Sequence, residues 1–311
     1  MFKKIKASLL IFSVFGLMLA GCSGATVSKD DDDGKIKVTA TIGMIADIVK
    51  NVGGEHVETI GLMKSGVDPH LYKASQGDIR KLDEADMIFY NGLHLEGKMV
   101  DIFEKMQTKK PTIPVTKNIP ESQLRQSGDG VYGHDPHVWF NVRHWISATK
   151  TVAEELARFD KNNKDVYEKN AKEYIEKLEE LDQYTREQIA TIPKETRVLV
   201  TAHDAFGYFG EAYGIKVMGL QGISTASEYG SRDVSTLRDY LVENRIKAVF
   251  VESSVPKKAI EAVIEGAKEK GHEVIIGGEL FSDAMGEEGT IEGTYIGMVK
   301  HNVDTIVKSL K

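Results

Sequence analysis

Short apolar runs alternate with amphipathic segments along most of this chain, and that alternation constrains the fold more than any other feature. The strand-like run 37–42 precedes a helical pattern, and the buried-type run 87–90 follows a helix that Ser75 is predicted to cap. Further apolar runs lie at 197–201, 215–220, 248–251 and 274–276. Ser254 is predicted to cap another helix, which ends before Gly271. This order predicts an α/β fold, with parallel sheets covered by helices on both faces.

The segment between the two halves has a different pattern. From Asp165 to Ile189 the chain contains neither glycine nor proline, charge is dense, and apolar residues recur every three to four positions. One long helix is predicted there. Because the chain is too long for one typical core, we expect an N-terminal lobe at 36–160, a linking helix at 161–192 and a C-terminal lobe at 193–311. A helical link would keep any closure of the lobes small.

The first residues are typical of an export signal. Lysines precede an uncharged apolar stretch from Ala7 to Leu19, which ends in small residues before Cys22, the only cysteine. The stretch is shorter than the roughly 20 residues that a spanning helix needs. Leu19-Ala20-Gly21-Cys22 resembles the lipobox of bacterial lipoproteins, which implies a signal peptide at 1–21, a lipid on Cys22 and an extracytoplasmic position on the cell membrane. A secretory signal with an incidental cysteine is the alternative.

The segment 22–35 has almost no apolar content, so it cannot bury enough surface to offset the entropy lost on ordering. We predict a flexible tether. The formal net charge of -7 argues against nucleic acid as a partner. Nothing in the sequence indicates an oligomer, and we expect a monomer.

Three histidines far apart in the sequence occur in similar contexts. Asp-Pro-His occurs twice, ending at His70 and at His137, and His203 follows a β-run directly. Proline favours an extended residue before it, so Asp-Pro-His predicts a turn that projects its histidine, while ligands of open α/β sheets bind at strand carboxyl ends. A hydrogen-bonded loop or core histidine would explain any one of them. Together they indicate a metal site assembled by the fold, with neighbouring aspartates as possible partners of the second ring nitrogen.

Several ordered segments carry a family resemblance. They are Gly66-Val67-Asp68-Pro69-His70, Asp135-Pro136-His137-Val138-Trp139, Thr201-Ala202-His203-Asp204-Ala205-Phe206-Gly207-Tyr208-Phe209 and Leu280-Phe281-Ser282-Asp283-Ala284. Across essentially the whole mature chain, the sequence resembles the TroA-like metal-binding lipoproteins, the cluster A-I (cluster 9) solute receptors. It is most similar to the manganese-binding lipoproteins of Bacillus-type bacteria.

The resemblance implies a complete site. His70 and His137 from the N-terminal lobe, with His203 and Asp283 from the C-terminal lobe, would hold one metal ion in the cleft between two (β/α)4 lobes. The chain would deliver that ion to the permease of an ABC importer. The residues alone do not single out Asp283, which without the resemblance is more typical of a helix cap or a turn.

The identity of the metal depends on two opposing arguments. Three imidazoles and one carboxylate should bind zinc more tightly than manganese along the Irving–Williams series. The zinc branch of the family usually has a long His/Asp-rich loop, whereas the loop from Ser122 to Gly133 is short and has no histidine. Some manganese receptors have glutamate in place of His203, which keeps zinc open. We predict Mn2+ as the transported ion, with Zn2+ as the alternative.

Two other functions compete with transport. A surface metallohydrolase would need three protein ligands and an open position for water, and Asp283 as a fourth ligand fills that position, so no enzyme activity is expected. An adhesin with a structural metal would unfold on chelation, whereas a transport receptor would stay folded and reload.

Overall fold

The computed structural model describes residues 34–127 and 133–311. The signal segment 1–21, the lipidation site Cys22 and nearly all of the tether 22–35 lie outside the described residues. Within the two described ranges, no helix is both long enough and apolar enough to cross a membrane.

The N-terminal lobe is built on a parallel sheet whose strand order is β2-β1-β3-β4. Its elements are β1 (Ile36–Ala40), α1 (Gly43–Gly53), β2 (Val57–Gly61), α2 (Gln76–Glu84), β3 (Met87–Tyr90), α3 (Val100–Gln107), β4 (Thr112–Pro114) and α4 (Val142–Phe159). In the register of the sheet, Thr39 of β1 lies beside Ile60 of β2 and Ile88 of β3. Residues 38–40 of β1 and 87–89 of β3, the two central strands, are fully buried, as expected for strands that are covered on both faces.

A local sequence motif explains where α2 begins. Ser75 caps α2, because its hydroxyl accepts the backbone N–H of Asp78 while the Asp78 carboxylate accepts the backbone N–H of Ser75. This reciprocal pair satisfies backbone donors that the first turn of a helix leaves unpaired. The predicted cap at Ser75 is therefore confirmed.

One long helix, α5 (Lys164–Ala190), joins the lobes and confirms the predicted helical segment. Its apolar stripe is buried against α1, α4 and α9. The buried stripe contains Tyr167, Ala171, Tyr174, Leu178 and Leu181. The exact lobe boundaries stay a prediction, because residues 35–311 form one compact unit.

The C-terminal lobe continues the alternation. Its elements are β5 (Val198–His203), α6 (Gly207–Tyr213), β6 (Lys216–Gln221), α7 (Ser231–Glu243), β7 (Ala248–Glu252), α8 (Lys258–Glu269), β8 (Ile275–Leu280) and α9 (Tyr295–Leu310). Parallel ladders join β5 to β6 and β7 to β8. The α/β class with parallel sheets is confirmed.

The four strands of the C-terminal lobe form two hydrogen-bonded pairs, and at the contact of β5 with β7 the backbone N–H of His203 donates to the Glu252 side chain. One detail of this lobe differs from the predictions. The predicted helix cap at Ser254 is wrong, because α8 begins later and the Ser254 hydroxyl lies 3.0 Å from the Ser282 hydroxyl.

Candidate metal centre

The four residues predicted as metal ligands converge on one buried point. His70 lies between β2 and α2, His137 precedes α4, His203 ends β5, and Asp283 lies three residues beyond β8. One ligand atom from each lies within 4.8 Å of the others. All four side chains are almost completely inaccessible to solvent, with residue exposures of 0 to 4%. The fold therefore brings together residues that are up to 213 positions apart in the sequence.

The spacing of the ligand atoms suits a first-row metal ion. His70 Nε2 lies 3.2 Å from His137 Nε2. Asp283 Oδ1 lies 3.3 Å from His137 Nε2, and Asp283 Oδ2 lies 3.5 Å and 3.4 Å from the Nε2 atoms of His70 and His203. Metal–ligand bonds of roughly 2.0–2.2 Å in a tetrahedron place neighbouring ligand atoms about 3.4 Å apart. The measured separations match that value.

Each N-terminal histidine is held by the aspartate of its own motif. The carboxylate of Asp68 accepts the backbone N–H of His70 at 2.9 Å. The carboxylate of Asp135 accepts the backbone N–H of His137 at 3.0 Å and lies 2.7 Å from its ring Nδ1. Asp-Pro-His thus folds as a turn in which the aspartate side chain closes onto its own backbone, and in the second motif it also leaves Nε2 free to face the cluster.

The C-terminal histidine is held from another strand. Glu252, the last residue of β7, accepts the backbone N–H of His203 at 2.8 Å through one oxygen. Its other oxygen forms a short contact with His203 Nδ1. Both side chains are buried. Glu252 therefore fixes the ring so that Nε2 faces the other three ligands.

Sequence reasoning missed Glu252. The adjacent Asp204 was the obvious candidate partner for His203, but the structure places Glu252 on the ring nitrogen instead. A usable signal existed, because Glu252 is a carboxylate at the carboxyl end of the otherwise apolar run 248–251. A charged residue at that position of a buried parallel strand indicates a role at the ligand-binding edge of the sheet.

The charges of the cluster favour a cation. Burial would lower the pKa of His137, but the charge of Asp283 and the hydrogen bond with Asp135 outweigh it and raise the pKa to about 9. Burial would also lower the pKa of His203, but the charges of Glu252 and Asp283 outweigh it and raise this pKa well above its usual value. Burial would raise the pKa of Asp283, yet the two imidazolium charges hold it well below its usual range. Without a metal, protons supply the positive charge that the carboxylates require.

His70 behaves differently from the other two histidines. Burial lowers its pKa to about 3, with only partial compensation by Asp283. His70 is therefore neutral at physiological pH, with a lone pair available for coordination.

Several buried polar atoms of the cluster lack hydrogen bonds. His203 Nε2 and both carboxylate oxygens of Asp283 have no hydrogen-bond partner in the part of the chain that the structure describes. Asp283 does face the three imidazoles at 3.3–3.5 Å, but buried polar atoms without well-formed hydrogen bonds are costly. A metal ion at the common point would satisfy all three atoms, so the donor set fits a divalent cation.

The cleft is closed around these atoms. Trp139, two residues after His137, donates its indole N–H to the backbone carbonyl of Ser282 at 3.1 Å. Tyr295 of α9 donates its hydroxyl to the backbone carbonyl of Trp139 at 2.6 Å. Both contacts join the two lobes directly beside the ligands.

The fold and the site define a class of protein, a bilobed α/β receptor with a buried three-histidine, one-carboxylate cluster between its lobes. Residues 38–309 match the model of the ZnuA family, described as zinc-uptake complex component A, periplasmic. The chain belongs to this family, and the resemblance seen in its sequence motifs is confirmed.

Relatives within the family carry names of both manganese- and zinc-binding proteins. The chain is 54% identical to the manganese-binding lipoprotein MntA of Bacillus subtilis (strain 168), over 97% of each chain. It is 34% identical to the manganese ABC transporter substrate-binding lipoprotein PsaA of Streptococcus pneumoniae, over 97% of this chain and 98% of that one. The solved structure of the periplasmic zinc-binding protein TroA from Treponema pallidum superposes with a TM-score of 0.87 at 49% identity, covering 89% of this chain and 99% of that chain.

Proposed function

We propose that this chain captures one divalent transition-metal ion between its lobes and delivers it to the permease of an ABC importer. The observation that carries the proposal is the buried convergence of His70, His137, His203 and Asp283, in which three polar atoms have no hydrogen bond within the described residues. Each lobe supplies two of these residues, so the bound ion would hold the lobes together. Release would then require the lobes to separate.

The proposed cargo is Mn2+, with Zn2+ as the alternative. Imidazole suits zinc, and intrinsic affinity favours zinc over manganese. However, both oxygens of Asp283 face the cluster, so the site offers up to five donor atoms, more than the four that tetrahedral zinc needs. The relative at 54% identity is named for manganese. Geometry and supply, rather than raw affinity, would select the ion.

We further propose that Cys22 carries a lipid that anchors the chain at the extracytoplasmic face of the cell membrane, as a monomer. The lipobox-like segment before Cys22 supports the anchor, as do the lipoprotein names of relatives that align over nearly the whole chain. A tethered receptor would stay close to its permease while the lobes remain free to bind metal.

Anomalous diffraction at the manganese and zinc absorption edges tests the proposal, using protein purified from its native envelope. We expect one anomalous peak between the four side chains, at the manganese edge. A peak only at the zinc edge would support the alternative metal. No peak at this position in metal-replete protein would contradict a metal receptor.

A further inference from the structure

Asp68, the aspartate of the first Asp-Pro-His motif, accepts a hydrogen bond from a different lobe at each of its two carboxylate oxygens. Asp68 Oδ1 accepts the backbone N–H of His70 at 2.9 Å. Asp68 Oδ2 accepts the hydroxyl of Thr225 at 2.7 Å, from the loop between β6 and α7. The carboxylate that shapes the His70 turn is therefore also bonded across the cleft.

In the second motif the link across the cleft is indirect, because it passes through Arg125, a residue of the same lobe. Asp135 Oδ1 holds His137, while Asp135 Oδ2 lies 3.3 Å from Arg125 Nε. The Arg125 guanidinium also forms an ion pair with Glu211 on α6. Asp135 is fully buried and Arg125 is partly buried, whereas the Glu211 side chain is 66% exposed, so the Arg125–Asp135 contact is less screened than the Arg125–Glu211 pair.

The surface of α6 packs closely against the Arg125 side chain. A methyl group on Gly207, the first residue of α6, would lie 2.5 Å from Arg125 Nε. The next residue, Tyr208, accepts the backbone N–H of Arg125 at 3.0 Å and donates its hydroxyl to the backbone carbonyl of Asp135 at 2.9 Å. The glycine thus makes room for a side chain from the opposite lobe.

We propose that Thr225 and Arg125 are positioning residues that couple closure of the lobes to the orientation of His70 and His137. In the closed protein, each aspartate is held at both oxygens, so its histidine turn is fixed. When the lobes separate, the Thr225–Asp68 and Arg125–Glu211 contacts break. Asp68 then loses its outer partner and Arg125 is no longer fixed beside Asp135, which speeds metal release. This inference rests on the proposed function.

Two substitutions separate these contacts from the ligands. Thr225→Val removes the hydroxyl at nearly constant shape, and Thr225→Ser keeps the hydroxyl as the matched control. Gly207→Ala displaces the flexible end of Arg125 without changing any residue that contacts the metal. Arg125→Ala removes the same side chain. Gly207→Ala should therefore have no further effect on metal release in a chain that already carries Arg125→Ala.

The measurement is the rate of manganese release from the full chain loaded with Mn2+ alone. Excess EDTA is mixed in rapidly and the tryptophan fluorescence is followed, because one of the two tryptophans, Trp139, has its ring centroid 5.3 Å from that of His137. We expect release to be roughly tenfold faster for Thr225→Val, as for loss of a hydrogen bond to a charged group. Thr225→Ser should release at the parental rate, and Gly207→Ala should be faster by roughly three- to tenfold.

The outcomes distinguish the two proposals. If the parental chain binds no manganese or zinc, the proposed function fails. If it binds manganese but Thr225→Val and Gly207→Ala release it at the parental rate, the coupling is overturned while the receptor function stands. Equally fast release from Thr225→Ser and Thr225→Val would also overturn it, since that result would show that the hydroxyl contact with Asp68 is not responsible.

Discussion

The two lobes hold their metal-binding side chains in different ways. In the N-terminal lobe, each histidine is held by an aspartate two residues earlier in the chain. In the C-terminal lobe, His203 is held by Glu252, which lies 49 residues later on a neighbouring strand. The Asp283 carboxylate has no hydrogen-bond partner within the described residues.

This difference assigns separate tasks to the lobes. A turn closed by its own aspartate is encoded locally, so the N-terminal turns form before the lobes meet, and closure then fixes them through Thr225 and Arg125. The C-terminal pair depends on packing between strands, and Asp283 brings a charge that only the cluster or a cation neutralises. We infer that the N-terminal lobe presents imidazoles, while the C-terminal lobe completes the site and supplies most of its response to the metal.

Asp283→Asn alters the one ligand whose side chain has no hydrogen-bond partner within the described residues. It should have the largest effect on metal affinity. The variant removes the negative charge and replaces one oxygen donor by an amide N–H2, which does not coordinate. We expect manganese affinity to fall by more than about 100-fold, because loss of an outer partner alone costs roughly 10- to 100-fold. Titration calorimetry with Mn2+ measures the change.

Asp101→Asn, at an exposed position of α3, is the matched control for loss of one carboxylate and should bind as the parental chain does. Parental affinity in Asp283→Asn would mean that the aspartate is not a ligand and that the three histidines are sufficient.

Acidification should weaken metal binding, through His137 and His203 rather than His70. The pKa of His137 is raised to about 9 and that of His203 lies well above its usual value, so both hold protons in the metal-free cluster at neutral pH. A metal must displace those protons, and the competition grows as pH falls. The pKa of His70 is lowered to about 3, so this ring has no proton to release.

We expect affinity to fall by between about 10- and 100-fold from pH 7.5 to pH 6.5, as release of one to two protons requires. Calorimetry in buffers of different ionisation enthalpy counts those protons directly. Equal affinity at both pH values would show that the imidazoles are already unprotonated in the metal-free protein.

The same contrast explains what the sequence could predict. Asp-Pro-His carries its turn within three residues, so His70 and His137 could be identified as projected side chains from the chain alone. The long helix was also predictable, because its stripe recurs at helical spacing. Asp283 was identified only through family resemblance, and Glu252 was missed, because each acts through contacts that the folded C-terminal lobe creates.

Glu252→Gln tests the comparison between the lobes from the C-terminal side, because it weakens the contacts that hold His203. The parental carboxylate accepts both the backbone N–H and the ring Nδ1–H of His203 through separate oxygens. Glutamine has one acceptor oxygen, so one of these buried donors loses its partner and the ring loses a negative charge that increases its basicity. We expect manganese affinity to fall roughly 30-fold, within the range for outer partners of metal ligands.

Asp135→Asn is the matched substitution in the N-terminal lobe and should have a smaller effect. In the parental chain a single oxygen of Asp135 serves both donors of His137, and asparagine retains one carbonyl oxygen able to close the same turn. We expect a loss of roughly three- to tenfold, below that of Glu252→Gln, because the backbone hydrogen bond of the turn survives while the charge and the contact with Arg125 are lost. Parallel titrations with Mn2+ compare the two variants. An equal or larger loss in Asp135→Asn would mean that charge on the histidine partner, rather than its place in a local turn, sets its contribution to metal binding.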